Sequence, residues 1–400
     1  MSRKHGLVQR RQVLFIPGFD PHPPRRYREL YRREGAEQAR IAGHQLAVRS
    51  KSGGTWSVIA EIDGHGTFSE IEVLVWSDLV RDTMAPGWAA SYLKLIGVVW
   101  TYMSTGVLWR LAAIGTGPLI AALYPVVGLI LQLVLAGLLG WGTAQLMDLI
   151  ALGWGWIPGI VAAVLVMRAL RRADGRFFVH YLMADFAYWA SADGAYPAAL
   201  EERISDFAAH IKQALSGKPD ELLVVGHSSG AALAVSALAE HLGIQRAELG
   251  GVKLSLLTLG QSIPMQSFLP KADRLRRDLN QLSRDPRVTW VDVSAPGDGC
   301  SFALTDPVSV SGVAPDAGKR WPLVLSAAFS KTLSPERRRR IRHRYFRLHF
   351  QYLCAFDDPR PYDYFRITAG PDTLAGFFSH RAPSANRIEW AASGHISMVV

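Results

Sequence analysis

The chain has 400 residues, 49% hydrophobic and 20% charged, a balance that excludes an intrinsically disordered protein and provides for one large domain or two modest ones. Lys and Arg total 44 against 34 Asp and Glu, a formal charge of +10 that suits an anionic partner (phospholipid headgroups, nucleic acid or an acidic substrate) without choosing among them. The two cysteines, Cys300 and Cys354, are too few for a disulfide framework and lack the Cys/His spacing of a zinc site, so a reducing compartment is expected.

The amino end, Met-Ser-Arg-Lys-His-Gly-Leu-Val-Gln-Arg-Arg, runs into a short apolar strand at residues 12–16 without a signal peptide's apolar core and cleavage site. It is expected in the cytoplasm. Residues 25–42 read as a helix, and residues 44–75 as two or three strands broken by Gly53-Gly54 and Gly64-His65-Gly66. The segment 111–170 then differs in kind from its surroundings, with Asp148 its one carboxylate and no basic residue before Arg168. Roughly 20 apolar residues suffice to cross a bilayer, and the segment predicts two transmembrane helices. The first is placed at 118–139 and the second ends near residue 170, with Trp141, Trp154 and Trp156 as interfacial aromatics. Lys94 and Arg110 before the block, and Arg168, Arg171, Arg172 and Arg176 after it, put both flanks on the cytoplasmic side. Residues 93–114, which contain Arg110, read as a surface-lying amphipathic helix or a further crossing.

Beyond the block, helical patterns at 201–215 and 231–242 alternate with strand patterns at 222–225, 254–259 and 288–293. Such alternation predicts an α/β architecture, a mostly parallel sheet covered by helices on both faces. The division that follows is 1–92 and 177–400 as two parts of one domain, with 93–176 as a membrane insertion between them.

The apolar run Glu221-Leu222-Leu223-Val224-Val225 is followed by Gly226-His227-Ser228-Ser229-Gly230 and then by the Ala-rich stretch from Ala231. Strand, tight turn and helix in that order are the setting of a nucleophile elbow, in which a serine hydroxyl is lifted above the sheet edge and flanking glycines avoid collisions. In these residues the chain resembles the lipase and esterase branch of the α/β-hydrolase family, loosely over residues 12–20 and 200–370. The resemblance implies Ser228 as nucleophile. It also implies an oxyanion hole from two backbone N–H groups, those of Ser229 and of Phe19 in Pro17-Gly18-Phe19-Asp20-Pro21. Many lipases have His-Gly where this chain has Pro17-Gly18.

The family order is Ser, then Asp or Glu, then His. Asp298, in the loop Ser294-Ala295-Pro296-Gly297-Asp298-Gly299 after a strand, is the first candidate acid, and Asp306 in Thr-Asp-Pro the second. Asp292 lies inside the strand. For the base, His349 in an aromatic-rich stretch stands ahead of His395 in a glycine-containing loop near the C-terminus, with His343 and His380 also available. His227 is expected to pack beside the serine. The basic run Arg337 to Arg340 with Arg342, Arg344 and Arg347 is expected to meet anionic cytoplasmic lipid, worth about 1 kcal/mol per residue near the surface. No nucleic-acid recognition pattern accompanies it.

Together these features predict a membrane-anchored serine hydrolase of the cytoplasmic membrane, acting through Ser228, His349 and Asp298 on a lipid or other membrane-partitioned acyl ester. The chemistry requires no metal or organic cofactor. Ester, thioester and amide cleavage are not separable at this level, and the rival from another class is a membrane scaffold that keeps the fold without the chemistry.

Overall fold

Strands β1 (Arg10–Ile16), β2 (Gln45–Ser50), β3 (Thr55–Ile62), β4 (His65–Val73), β5 (Glu221–His227), β6 (Lys253–Leu259), β7 (Val288–Ser294) and β8 (Leu323–Ser326) form one sheet in the order β2-β3-β4-β1-β5-β6-β7-β8. This is seen in a computed structural model that describes residues 7–84, 87–151, 153–244 and 249–399. From β4 to β8 neighbouring strands are parallel, whereas β2, β3 and β4 form an antiparallel meander at one edge. The expected α/β architecture with a mostly parallel sheet is therefore present.

Side chains of the central strands alternate between two cores. Leu14, Ile16, Leu222, Val224, Leu254 and Leu256 enter one, and Val13, Phe15, Leu223, Val225, Leu257 and Leu259 the other. A strand buried on both faces needs no polar alternation, which is why β5 is a continuous apolar run.

The helices up to the elbow are α1 (Arg25–Ala42), α2 (Ser77–Thr83), α3 (Trp88–Ser104), α4 (Val107–Ile114), α5 (Thr116–Ala151), α6 (Trp156–Arg172), α7 (Asp174–Phe177), α8 (Val179–Ala190), α9 (Ala198–Ser216) and α10 (Gly230–Ile244). Helices α2 to α9 all fall between β4 and β5, yet β1 pairs with both of those strands. The sheet is thus continuous across the insertion. A buried Arg11–Glu221 pair, Nε to Oε2 at 2.7 Å, joins β1 to β5 beneath this junction. Arg11 also donates to the Gly370 and Asp372 carbonyls, so the ion pair is hydrogen-bonded on both sides.

The apolar block differs from its expected division. Residues 118–139 are only part of α5, which continues to Ala151 and turns through Gly153, Trp154 and Gly155 into α6. Trp141 accordingly lies within α5, away from the turn that holds Trp154. Two glycines of the hairpin are packing surfaces. A Cβ on Gly140 would stand 2.8 Å from the Gly159 carbonyl oxygen, and one on Gly159 2.7 Å from that of Gly140. Ala144 and Ala163 complete a small-residue seam that lets the two helix backbones touch. Asp148 accepts the Gly155 N–H at 2.7 Å, supplying the first turn of α6 with an anion for its unpaired amides.

Helix α5 contains a 32-residue segment, Leu119–Ile150, long and apolar enough to cross a membrane, and 28% of an 18-residue apolar window within it is buried. Helix α6, at 17 residues, does not reach that length alone. Helices α3 and α4 pass only as a pair bent by 75°. From Val127 to Leu165 the outward side chains of the α5–α6 hairpin are mostly bare apolar ones, with Gln145 exposed among them, and Arg168, Arg171 and Arg172 follow.

Candidate active site

Chain direction in a parallel sheet carries every carboxyl end to the same edge, and the candidate groups collect there. Ser228 follows β5 directly and has φ of +57°, the left-handed region that a serine rarely adopts. Its backbone is held on both sides, its N–H donating to the Leu259 carbonyl at 2.9 Å and its carbonyl accepting from Ala231 at 3.0 Å. The flanking glycines are sterically required. A Cβ on Gly226 would lie 2.7 Å from Ala231 Cα, and one on Gly230 would run into the Pro17 and Ile16 carbonyl oxygens. Gly18 faces the serine itself, and a Cβ there would lie 2.8 Å from Ser228 Cβ.

Asp298, four residues beyond β7, and His349, after β8, meet at the same edge. His349 Nδ1 and Asp298 Oδ2 are 2.8 Å apart, and both residues are buried. Tyr352 donates its hydroxyl to the same carboxylate oxygen at 3.0 Å, and the Cys300 N–H donates to the other at 3.0 Å. Burial by itself raises the pKa of this acid, but the His349 ring and the hydrogen bonds from His349, Cys300 and Tyr352 outweigh it and hold Asp298 below the usual carboxylate range. Burial and the nearby carboxylate push the Tyr352 phenol far up, so it remains a donor.

With Nδ1 on the carboxylate, His349 has Nε2 left, and that atom is buried with no hydrogen-bond partner among the described residues. The Ser228 hydroxyl is therefore not bonded to it in this structure, although both residues line one cavity of about 990 Å³. Catalytic hydrogen bonds are often long without substrate and tighten in the complex. The His227 ring packs against that of His349 at 4.6 Å between centroids, tilted by 42°, and its Nε2 lies 3.1 Å from the His349 carbonyl. Burial lowers its pKa to about 3, with the neighbouring His349 adding to the shift, so His227 is a neutral packing and positioning group.

The alternatives lie elsewhere. Asp306 accepts the Val308 and Ser309 N–H groups and pairs with Lys319, which makes it the cap of a short helix. His395 has its Nε2 3.4 Å from the Thr105 carbonyl at the end of α3. Neither lines the cavity, nor does His380, whereas His343 lies on its wall. Asp292 receives the Thr258 hydroxyl at 2.6 Å inside the sheet, where burial raises its pKa to about 8.

Phe19 follows Gly18 and lines the cavity, Ser229 follows Ser228 in the turn, and neither backbone N–H donates to an acceptor among the described residues. The Phe19 ring is buried against Trp76 and Tyr188, and its carbonyl accepts from the Tyr181 hydroxyl, which fixes the loop after β1.

Three contributors escaped the sequence reading. Gly260, at φ +50°, leaves room for the pair, since a Cβ there would stand 2.6 Å from Tyr352 and 3.2 Å from Asp298 Oδ2. Tyr352 was seen only as an aromatic neighbour. Asp185, on α8, accepts the Ser229 hydroxyl at 3.1 Å and Trp189 Nε1 at 3.0 Å. Burial raises its pKa to about 7 despite those bonds. Nothing in its local sequence, Met-Ala-Asp-Phe-Ala, marks it, because its partner is 44 residues away.

The basic run divides. Arg337 reaches Glu37 and Asp357, and Arg347 reaches Glu34, so these two tie the segment to α1 and its surroundings, while Arg340, Arg342 and Arg344 are exposed. Among the described residues no group of three or more His, Cys, Asp or Glu is placed to hold a metal ion. In comparisons with protein-family models, curated proteins and solved structures, nothing matches the chain.

Proposed function

We propose that the protein is a membrane-anchored serine hydrolase that cleaves a carboxylic ester. The observation that carries this reading is the His349–Asp298 pair, with a free Nε2 opening on the same cavity as a serine held at positive φ. A buried imidazole with a carboxylate on one nitrogen and nothing on the other is equipped to take a proton from a nucleophile.

In this mechanism Ser228 Oγ attacks the ester carbonyl carbon while His349 Nε2 takes its proton. Asp298 orients the ring and stabilises the imidazolium. The carbonyl oxygen becomes an oxyanion, received by the N–H groups of Phe19 and Ser229. Collapse expels the alcohol with the proton from His349 and leaves an acyl ester on Ser228, which water then hydrolyses by the same transfers in the same order.

Anchoring belongs to the hairpin. The stretch of α5 from Val127 to its end is about 37 Å long and α6 about 25 Å at ~1.5 Å per residue, against a hydrocarbon core of roughly 30 Å. The small-residue seam gives two antiparallel crossings whose arginines return to the cytoplasmic side. Anchoring raises the local concentration of membrane-partitioned esters, which makes a lipid or similar acyl ester the natural substrate.

Ser228→Ala in detergent-solubilised protein tests the reading. Hydrolysis of p-nitrophenyl butyrate should disappear while thermal unfolding is retained; unchanged turnover would remove Ser228 from the chemistry.

A further inference from the structure

Taking the hydrolase reading as given, we infer that the ester is an anionic amphiphile, entering sideways from the cytoplasmic leaflet with its acyl chain in the cavity and its negatively charged headgroup on the guanidinium groups at the rim.

The first observation is where the cavity lies. One wall is the opening of α5, through Ile120, Ala121 and Tyr124, and the same helix runs on into the bare apolar hairpin. Gly140 meets Gly159 across the hairpin, and Ala144 meets Gly155. Carried down the antiparallel pair at equal rise, this register sets Arg172 across from about Val127. The cavity therefore lies just below the level at which the exposed apolar faces end and the arginines begin, the depth of lipid headgroups.

The second observation is how the cavity is lined. Its interior walls are apolar, with Phe178 stacked on Phe346 at 3.7 Å and with Met265 and Phe302 beside the serine side. Five guanidiniums border it, Arg26, Arg33, Arg176, Arg344 and Arg347, against three carboxyl groups, Asp20, Glu29 and Asp185. Arg33 and Arg347 are engaged by Glu34, and Arg26 lies 3.5 Å from Asp20 and over the Phe350 ring. Arg176 and Arg344 are exposed and have no carboxylate partner among the described residues. An apolar tunnel with unpaired guanidiniums at its mouth complements a molecule with an acyl chain at one end and a phosphate or similar anion at the other.

The test uses the full chain in mixed micelles of nonionic detergent, with dioleoyl phosphatidylglycerol and dioleoyl phosphatidylcholine as substrates. The ratio of kcat/KM for the anionic lipid over the zwitterionic one should be at least about tenfold. It should fall toward unity in Arg176→Glu/Arg344→Glu and be retained in Arg176→Lys/Arg344→Lys. Equal rates on both lipids, or a ratio unmoved by charge reversal, would overturn the inference. Calorimetry on Ser228→Ala separates the headgroup site from the chemistry. Dodecyl phosphate should bind, with at least about tenfold weaker affinity after charge reversal, while inorganic phosphate should not bind at matched concentration. Tight binding of inorganic phosphate would make the rim a free-anion site and overturn the amphiphile. If dodecyl phosphate binds as expected while neither p-nitrophenyl butyrate nor either lipid is cleaved, the hydrolase reading fails and the amphiphile site stands.

Discussion

The elbow and the hairpin are both built on glycines that let backbones touch, but what surrounds the contact differs. At Gly226 and Gly230 the touching elements lie inside a closed core, beside the buried and hydrogen-bonded Asp298–His349 pair. At Gly140 and Gly159 the touching helices present Leu133, Leu138, Trp141 and Ile160 outward, and the segment's one carboxylate is used up in capping α6. The first arrangement stabilises itself in water by hiding apolar surface. In the second the seam is closed by van der Waals packing while the outer faces remain bare. The two regions are joined through α8, which comes after the hairpin and places Asp185 on Ser229, the neighbour of Ser228.

The largest effects are expected on activity. His349→Ala should lower kcat for p-nitrophenyl butyrate by about 10⁴-fold or more, and Asp298→Asn by roughly 10³ to 10⁴, because each removes part of one proton-transfer unit. His395→Ala, remote from the cavity, should leave kcat unchanged. A loss with His395→Ala and none with His349→Ala would move the base to the C-terminal loop.

Stability separates the two kinds of glycine contact. Gly230→Ala should destabilise the protein by more than ~3 kcal/mol or prevent folding, since its Cβ meets two carbonyl oxygens in a closed core. Gly159→Ala should cost about 1–3 kcal/mol, where a helix pair can slide slightly apart. Gly142→Ala, with nothing within 4 Å, should stabilise α5 by about 0.5–1 kcal/mol. Thermal melts of the three variants in one detergent rank them, and an equal cost at Gly142 and Gly159 would dissolve the seam.

The smallest effect concerns pH. Burial raises the pKa of Asp185 to about 7, above the unfolded value, so the folded state favours the protonated form. Its stabilising influence is complete below the unfolded value near ~4 and is lost as pH rises toward 7. Asp185→Asn keeps a neutral side chain at all pH, and its Tm relative to wild type should climb between pH 4 and 7 and level off above. A difference independent of pH would mean that Asp185 is charged throughout.

Much of the fold is local and so was legible. The apolar runs of β1 and β5 to β7, the α1 pattern and the Gly-x-Ser-x-Gly turn all follow from side-chain periodicity or turn stereochemistry, which neighbours in sequence decide. Asp298 was preferred to Asp306 by loop position and His349 to His395 by its aromatic surroundings, while the contact between the two is a matter of tertiary structure. Strand β8 has four residues, too few for a pattern. The extent of α5 was hidden because a long, nearly uniform apolar run carries no local mark of where one helix ends and the next begins. Asp185, Gly260 and Tyr352 act across the fold, so no local signal marks them.

The central claim is that Ser228 is an activated nucleophile rather than a residue of an inert scaffold. Reacting the solubilised protein with a fluorophosphonate and locating the adduct by peptide mass spectrometry tests it most directly. A single phosphonylated site is expected at Ser228, lost in Ser228→Ala and strongly slowed in His349→Ala. A folded wild-type protein that stays unlabelled, or is labelled at another serine, would contradict it.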